Sequence, residues 1–223
     1  MAEKQLIIFC DLDGTLLDVS PRHYKVYCET VEQFGGKALD KNAYWDLKRA
    51  KAKWPMLLEK SRLADTPVND FLKPFIEKIE DPDYLKADKL FPGSLEALEL
   101  LHISGDVVLV SLRRNRHALL QQLGWLGIDN YFKTILTGHS ESDGYDEKIK
   151  LISMVLGDRK GVIIGDTEAD VITGKTLGLT TVAVTSGIRN QEFLQALRPD
   201  YIFSSITQLD IFNEKQEQGL KQQ

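Results

Sequence analysis

Two carboxylates, Asp11 and Asp13, follow the apolar run Leu6-Ile7-Ile8-Phe9-Cys10 and lead into Gly14-Thr15. Like charges this close repel unless a cation or a proton in transit requires them, so the pair points to chemistry. A strand-to-helix turn capped by aspartates accounts for the same pattern, and the rest of the chain has to choose. Ser111 ends the apolar run Val107–Val110, Asp166 ends Val162–Ile164 with Asp170 one helical turn later, and Lys148 opens a helix. In open α/β sheets such strand ends meet in one crevice. Carboxylates gathered there need a divalent cation, and hard oxygen donors favour Mg²⁺. Magnesium held by one or two carboxylates keeps positions for water and a phosphate oxygen, so phosphate is the expected substrate group. Lys148, the Ser111 hydroxyl and the backbone N–H groups at Leu112 and Arg113 would hold its oxygens. A carboxylate nucleophile beside the metal suits phosphoryl transfer through an aspartyl-phosphate, with Asp13 moving the proton.

The elements that position these residues read from periodicity. Leu6–Cys10 is an unbroken apolar run, the pattern of a parallel strand buried on both faces. From 17 to 88 the pattern is helical. Tyr24, Tyr27, Val31 and Phe34 mark one helix stopped by Gly35-Gly36, and Asp40 or Asn42 caps a second through Ala50, limited or kinked by Pro55. Pro67 opens a third along Phe71, Phe75 and Ile79, broken by Asp81-Pro82-Asp83. This block is too long for a loop and is expected to be an inserted helical subdomain. From Pro92-Gly93 onward, helices alternate with short strands at Val107–Val110, Ile135-Leu136, Val162–Ile164, Thr181–Val184 and Tyr201–Phe203. That rhythm predicts a parallel, doubly wound sheet with helices on both faces.

DLDGT at Asp11–Thr15, Ser111 after a strand, Lys148 opening a helix and GDTEAD at Gly165–Asp170 together resemble the haloacid dehalogenase superfamily. Its phosphatase branch with a helical (C1-type) cap, phosphoglycolate phosphatase-like, is the nearest pattern. The resemblance implies a Rossmann-like α/β core from 1–16 and 89–223, with a helical cap at 17–88 closing over the site. It makes Asp11 the nucleophile and a metal ligand, and Asp13 the acid/base with its backbone carbonyl on the metal. Asp166 becomes a further ligand, Asp170 a direct ligand or the holder of a metal-bound water, and Ser111 and Lys148 the phosphoryl contacts. Two positions depart from the family pattern: Leu112 replaces a small or polar residue, and Ile149 a proline, which makes Lys150 a rival to Lys148.

The expected function is a Mg²⁺-dependent phosphatase for a small phosphorylated metabolite; phosphoglycolate, a sugar phosphate, a nucleotide and pyrophosphate all fit. A phosphosugar mutase on the same scaffold is the alternative, with a receiver-like or partner-binding protein behind it. A net charge of −5 lacks the basic footprint of nucleic-acid binding. No apolar run is long enough to span a bilayer and no signal-peptide core follows Met1, so a cytoplasmic chain is expected. Cys10 and Cys28 have no metal spacing. Gly174-Lys175-Thr176 lacks the earlier glycine of a phosphate loop and falls in a helix. His139, Glu141, Asp143 and Asp146 read first as a loop, and His23, His102 and His117 have no evident partner. Arg113 could contact substrate or pair with an acid. For Lys48, Arg49, Lys51 and Lys53, beside Trp54, a solvated helix face is favoured over contact with an anionic substrate.

Overall fold

The computed structural model describes residues 6–139 and 144–209. Glu141 and Asp143 lie outside them. The first strand, β1 (Ile7–Cys10), is wholly buried and leads through the Asp11–Thr15 turn into β2 (Leu17–Asp18). The antiparallel partner of β2 is β3 (Lys89–Leu90), so a short ribbon closes off everything between them. Five parallel strands complete the main sheet: β4 (Asp106–Ser111), β5 (Thr134–Thr137), β6 (Gly161–Gly165), β7 (Thr180–Val184) and β8 (Tyr201–Phe203). Their order is β5-β4-β1-β6-β7-β8, which makes the sheet α/β and doubly wound, as its apolar runs predict. The chain builds outward on one side through β4 and β5 and on the other through β6 to β8. The crevice above β1 is therefore the point where strand order reverses.

Alternation along β1 splits the core into two layers. Ile8 and Cys10 pack with Leu109 and Ile164 on one face, Ile7 and Phe9 with Val108, Val110 and Ile163 on the other. Between β2 and β3 run α1 (Ser20–Gln33), α2 (Lys41–Arg49), α3 (Trp54–Lys60), α4 (Val68–Ile79) and α5 (Pro82–Leu85). They share a separate apolar cluster that includes Val26, Tyr27, Tyr44, Leu58, Phe71 and Phe75. The Tyr27 and Tyr44 rings stack at 4.1 Å. An insert with its own core is the helical subdomain expected of this block.

Inside the insert, Pro21, Pro55 and Pro82 lie in the first turns of helices, Pro67 precedes α4, and Pro74 lies within it. Pro55 lies in the first turn of a separate α3, after α2 has ended at Arg49 and Lys51 has taken a positive φ of 55°. A proline there loses no helical hydrogen bond. Asp81 breaks α4 and also caps α5, accepting from the Asp83 N–H at 2.8 Å.

On the sheet, α6 (Ser94–Ser104) and α7 (Arg116–Leu126) cover the Ile8 face. The opposite face is covered by α8 (Tyr145–Leu156), and α9 (Glu168–Thr176) lies on that side through Val171 against Ala183. A further short helix, α10 (Gln191–Ala196), follows β7. No described helix is long and apolar enough to cross a membrane.

The insert docks on the core at a second point besides the ribbon. Arg49 donates to the Thr185 carbonyl at 2.7 Å, and the Arg49 carbonyl accepts from the Asn190 N–H at 3.1 Å. Trp45 packs against both apolar clusters.

Candidate active site

The register of the sheet ends β1, β4 and β6 together. Cys10 lies beside Leu109 on one side and Ile164 on the other, and the Asp11 N–H donates to the Ile164 carbonyl at 2.9 Å. Asp11, Ser111 and Asp166 thus leave neighbouring strands at one level. Gly14 turns the chain behind Asp13 with a φ of +88°, and a Cβ at this position would stand 2.1 Å from Asp166 Oδ2. Both facts demand glycine. Gly165 is constrained by proximity alone: a Cβ there would meet the Asp170 carboxyl carbon at 2.0 Å.

The Asp11, Asp166 and Asp170 carboxylates each bring an oxygen within 4.8 Å of the others, and all three residues are buried. Lys148, 3% exposed, donates to Asp11 Oδ1 at 2.6 Å and to Asp170 Oδ1 at 2.5 Å. Asp170 also takes hydrogen bonds from the Thr167 hydroxyl at 2.7 Å and its N–H at 3.2 Å, which seals the start of α9. Asp166 accepts from the Ile188 N–H at 2.5 Å. The rival Lys150 is largely exposed and pairs with Glu147 at 3.5 Å.

Electrostatics divides the two aspartates of the first motif. Burial pushes the Asp11 carboxyl up to about 7, and Asp170 adds to the rise while Lys148 opposes it. Asp166 is raised well above the usual carboxylate range by burial and then by Asp11 and Asp170. Burial would also raise Asp13, but the guanidinium groups of Arg113 and then Arg22 outweigh it and hold that carboxyl well below its ordinary value. Burial works against the charge on Lys148 too, yet Asp11 and Asp170 keep it firmly protonated. Ionised together, these three buried acids would outnumber the one ammonium among the described residues that is bonded to them, Lys148, so their raised carboxyls mark a place that a further cation would charge. This is a donor set of hard oxygens, and it fits a divalent cation such as Mg²⁺.

The cavity over this cluster, ≈230 Å³, is lined by Asp11, Asp13, Ser111, Leu112, Arg113 and Lys148, and also by Arg22, His23, Thr167 and Ile188. Of the expected residues, Asp166 and Asp170 are the two that do not line it; they adjoin it through Asp11 and Lys148. Arg113 has acid partners. Its Nε donates to Asp13 Oδ2 at 2.7 Å, its Nη2 to Asp13 Oδ1, and its Nη1 to Gln122.

Sequence reasoning missed the rest of this network. Arg22 donates to Asp13 at 2.9 Å, to Asp88 at 3.0 Å and to the Ile79 carbonyl at 2.8 Å, while Gln122 donates to Asp88 at 3.0 Å. Only the pairing of charges far apart in sequence could have signalled it. His23 is a lining residue as well, with its Nδ1 buried and unbonded among the described residues. The other side signals take ordinary places. Lys175 sits within α9 and donates to the Leu197 carbonyl at 2.5 Å, His102 meets the Tyr131 carbonyl at 3.1 Å, and Cys10 is a buried free thiol.

A family model described as haloacid dehalogenase-like hydrolase matches residues 7–184, a span from β1 to the end of β7. Among curated proteins, the pyrophosphatase PpaX of Halalkalibacterium halodurans is 24% identical over 93% of this chain and 95% of its own. The phosphoglycolate phosphatase of Neisseria meningitidis is 29% identical over 89% of each. A solved haloacid dehalogenase-like hydrolase from Streptococcus pneumoniae superposes with a TM-score of 0.74 over 93% of this chain and 98% of that one, at 21% identity. The motifs seated at the ends of β1, β4 and β6 and the match across nearly the whole core agree, and the chain belongs to the haloacid dehalogenase-like hydrolase family.

Proposed function

We propose that the protein is a Mg²⁺-dependent phosphatase of a small phosphorylated metabolite, working through an aspartyl-phosphate on Asp11. The convergence of Asp11, Asp166, Asp170 and Lys148 on one buried point beneath the Ser111 turn supports this most strongly. Mg²⁺ held by Asp11, Asp166, the Asp13 carbonyl and, directly or through water, Asp170 would neutralise phosphoryl charge when bound. Lys148, the Ser111 hydroxyl and the N–H groups of the Leu112 turn orient the phosphoryl oxygens. A carboxylate oxygen of Asp11 attacks phosphorus as the bond to the leaving oxygen breaks, and Asp13 gives that oxygen its proton. Water then attacks phosphorus, Asp13 takes the proton back, and Asp11 and phosphate are released.

Asp13, gripped by Arg113 and Arg22, is ionised in the arrangement described. That is the form of a base. A phosphoryl group entering the cavity offers its own anionic oxygens to the same guanidinium groups, and drawing them away lets Asp13 take up the proton it must donate. Residues 17–88 act as the cap, closing the cavity from above with Arg22 and His23 facing in.

The relatives are named for pyrophosphate and phosphoglycolate, both small phosphorylated anions, and the cavity over Asp11 presents Arg22, Arg113 and Lys148 in its lining. Purified protein screened against phosphorylated metabolites in Mg²⁺ should release inorganic phosphate, rather than an isomerised sugar phosphate, and lose activity in EDTA. Asp11→Asn should abolish turnover. Retained turnover in that variant would reject the mechanism.

A further inference from the structure

A second cavity, ≈320 Å³, opens where α2 and α3 meet the loop after β7, and Tyr44, Lys48, Lys51, Lys53, Trp54 and Arg189 line it. Its charge is unbalanced. The carboxylate bonded there is Glu168, and it is already shared: Arg189 donates to both of its oxygens at 2.7 and 2.9 Å, and Lys51 pairs with it at 2.9 Å. The Lys48 ammonium makes no hydrogen bond or ion pair among the described residues. Burial first, then the neighbouring Arg189 and Arg22, lower its pKa to about 8 against the smaller opposing pull of Asp166 and Glu168, neither of which is bonded to this lysine among the described residues. The Tyr44 hydroxyl is also buried without a partner among the described residues, on a ring fixed by its stack against Tyr27. A buried donor left unpaired is costly, and an ammonium beside it in a half-enclosed pocket calls for an oxyanion.

This cavity abuts the site over Asp11. Ile188 lines the first cavity and Arg189 the second, one Cα step apart. Lys48 is near enough to His23, which lines the first, to help depress its pKa after burial. A molecule whose phosphoryl group lies at Asp11 can therefore extend its far end toward Lys48.

We infer that the cavity receives a second anionic group of the substrate, a carboxylate or phosphate on the leaving-group side, bound by Lys48 with the Tyr44 hydroxyl. This rests on the phosphatase reading. It also corrects the expectation that the Lys48 stretch is only a solvated face: Lys48 turns inward because Arg49 and Arg189 pin the end of α2 to the core.

The test compares 2-phosphoglycolate, which carries a second anion, with p-nitrophenyl phosphate, which has none. Lys48→Gln should lower the ratio of their kcat/KM values about 10- to 100-fold, mainly through the KM for 2-phosphoglycolate, and Lys48→Arg should restore most of it. An unchanged ratio overturns the inference, including the case in which both activities fall together because α2 has lost its seat. So does a ratio that holds while free succinate alters p-nitrophenyl phosphate turnover in a Lys48-dependent way, which would make the cavity an effector site. Binding separates the two claims. In the Asp11→Asn background, the ratio of Kd values for 2-phosphoglycolate and inorganic phosphate should move by the same factor on adding Lys48→Gln. If the wild-type protein turns over no phosphoester but this ratio still moves, the phosphatase reading falls and the anion site stands.

Discussion

Arg113 grips the Asp13 carboxylate with two nitrogens, its Nε at 2.7 Å and its Nη2 on the other oxygen, from a turn a hundred residues away. The same guanidinium reaches toward Asp88 at 3.5 Å, and Arg22 joins Asp88 to Asp13 from the first turn of α1. The network therefore ties β4's turn to both ends of the insert. Removing one partner from such a buried set leaves a charge uncompensated. Arg113→Met should cost about 3–5 kcal/mol in urea unfolding. Adding Asp88→Asn should return part of that loss, because one carboxylate fewer then depends on Arg22. Strict additivity in this double-mutant cycle would contradict the coupling.

Lys148 is the resident cation among Asp11, Asp166 and Asp170. Lys148→Met should lower the melting temperature in EDTA, since the three carboxylates lose their ammonium. Millimolar Mg²⁺ should then raise the melting temperature more in the variant than in the wild type, because ligand binding stabilises in proportion to its affinity for the folded state. Equal Mg²⁺ shifts in the two proteins would show that lysine and metal do not share one charge cluster.

Glu168 gives a pH dependence with a definite sign. Burial alone would raise its carboxyl, but the hydrogen bonds from Arg189 and the pairing with Lys51 bring it down to about 2. A depressed carboxylate contributes stability above its ordinary pKa and loses it as pH falls toward the folded value. That contribution is lost between about pH 4.5 and pH 2. Melting curves of Glu168→Gln across this window should fall less steeply than those of the wild type. Parallel curves would mean that the Arg189 and Lys51 pairing does not hold in solution.

The parts legible in the sequence are those where one strong local pattern decides. The four inner strands, β4, β1, β6 and β7, are unbroken apolar runs buried on both faces, the half-buried edge strands β5 and β8 carry shorter ones, and the residues at the strand ends came with them. The insert declared itself through Tyr27, Val31 and Phe71 at helical spacing. The β2–β3 ribbon did not, because two residues carry no period. Neither α3 nor α10 stood out, each being only a turn or two long. Asp11, Ser111 and Asp166 are each adjacent in sequence to an apolar run that fixes them. By contrast, Arg22 meets Asp88 only when the two ends of the insert come together, and Arg113 meets Asp13 only when β4 is laid beside β1. Lys48 has an inward position for the same reason: the loop bearing Arg189 arrives from β7.

The central claim is that Asp11 carries the phosphoryl group, and it is tested most directly by trapping. Protein turning over a phosphoester with Mg²⁺ is quenched and treated with borohydride, which reduces an acyl phosphate to an alcohol, and peptides are read by mass spectrometry. The expected result is homoserine in place of Asp11 and nowhere else, absent without substrate and absent in Asp11→Asn. Turnover with an unmodified Asp11, or with the label on another carboxylate, would contradict it.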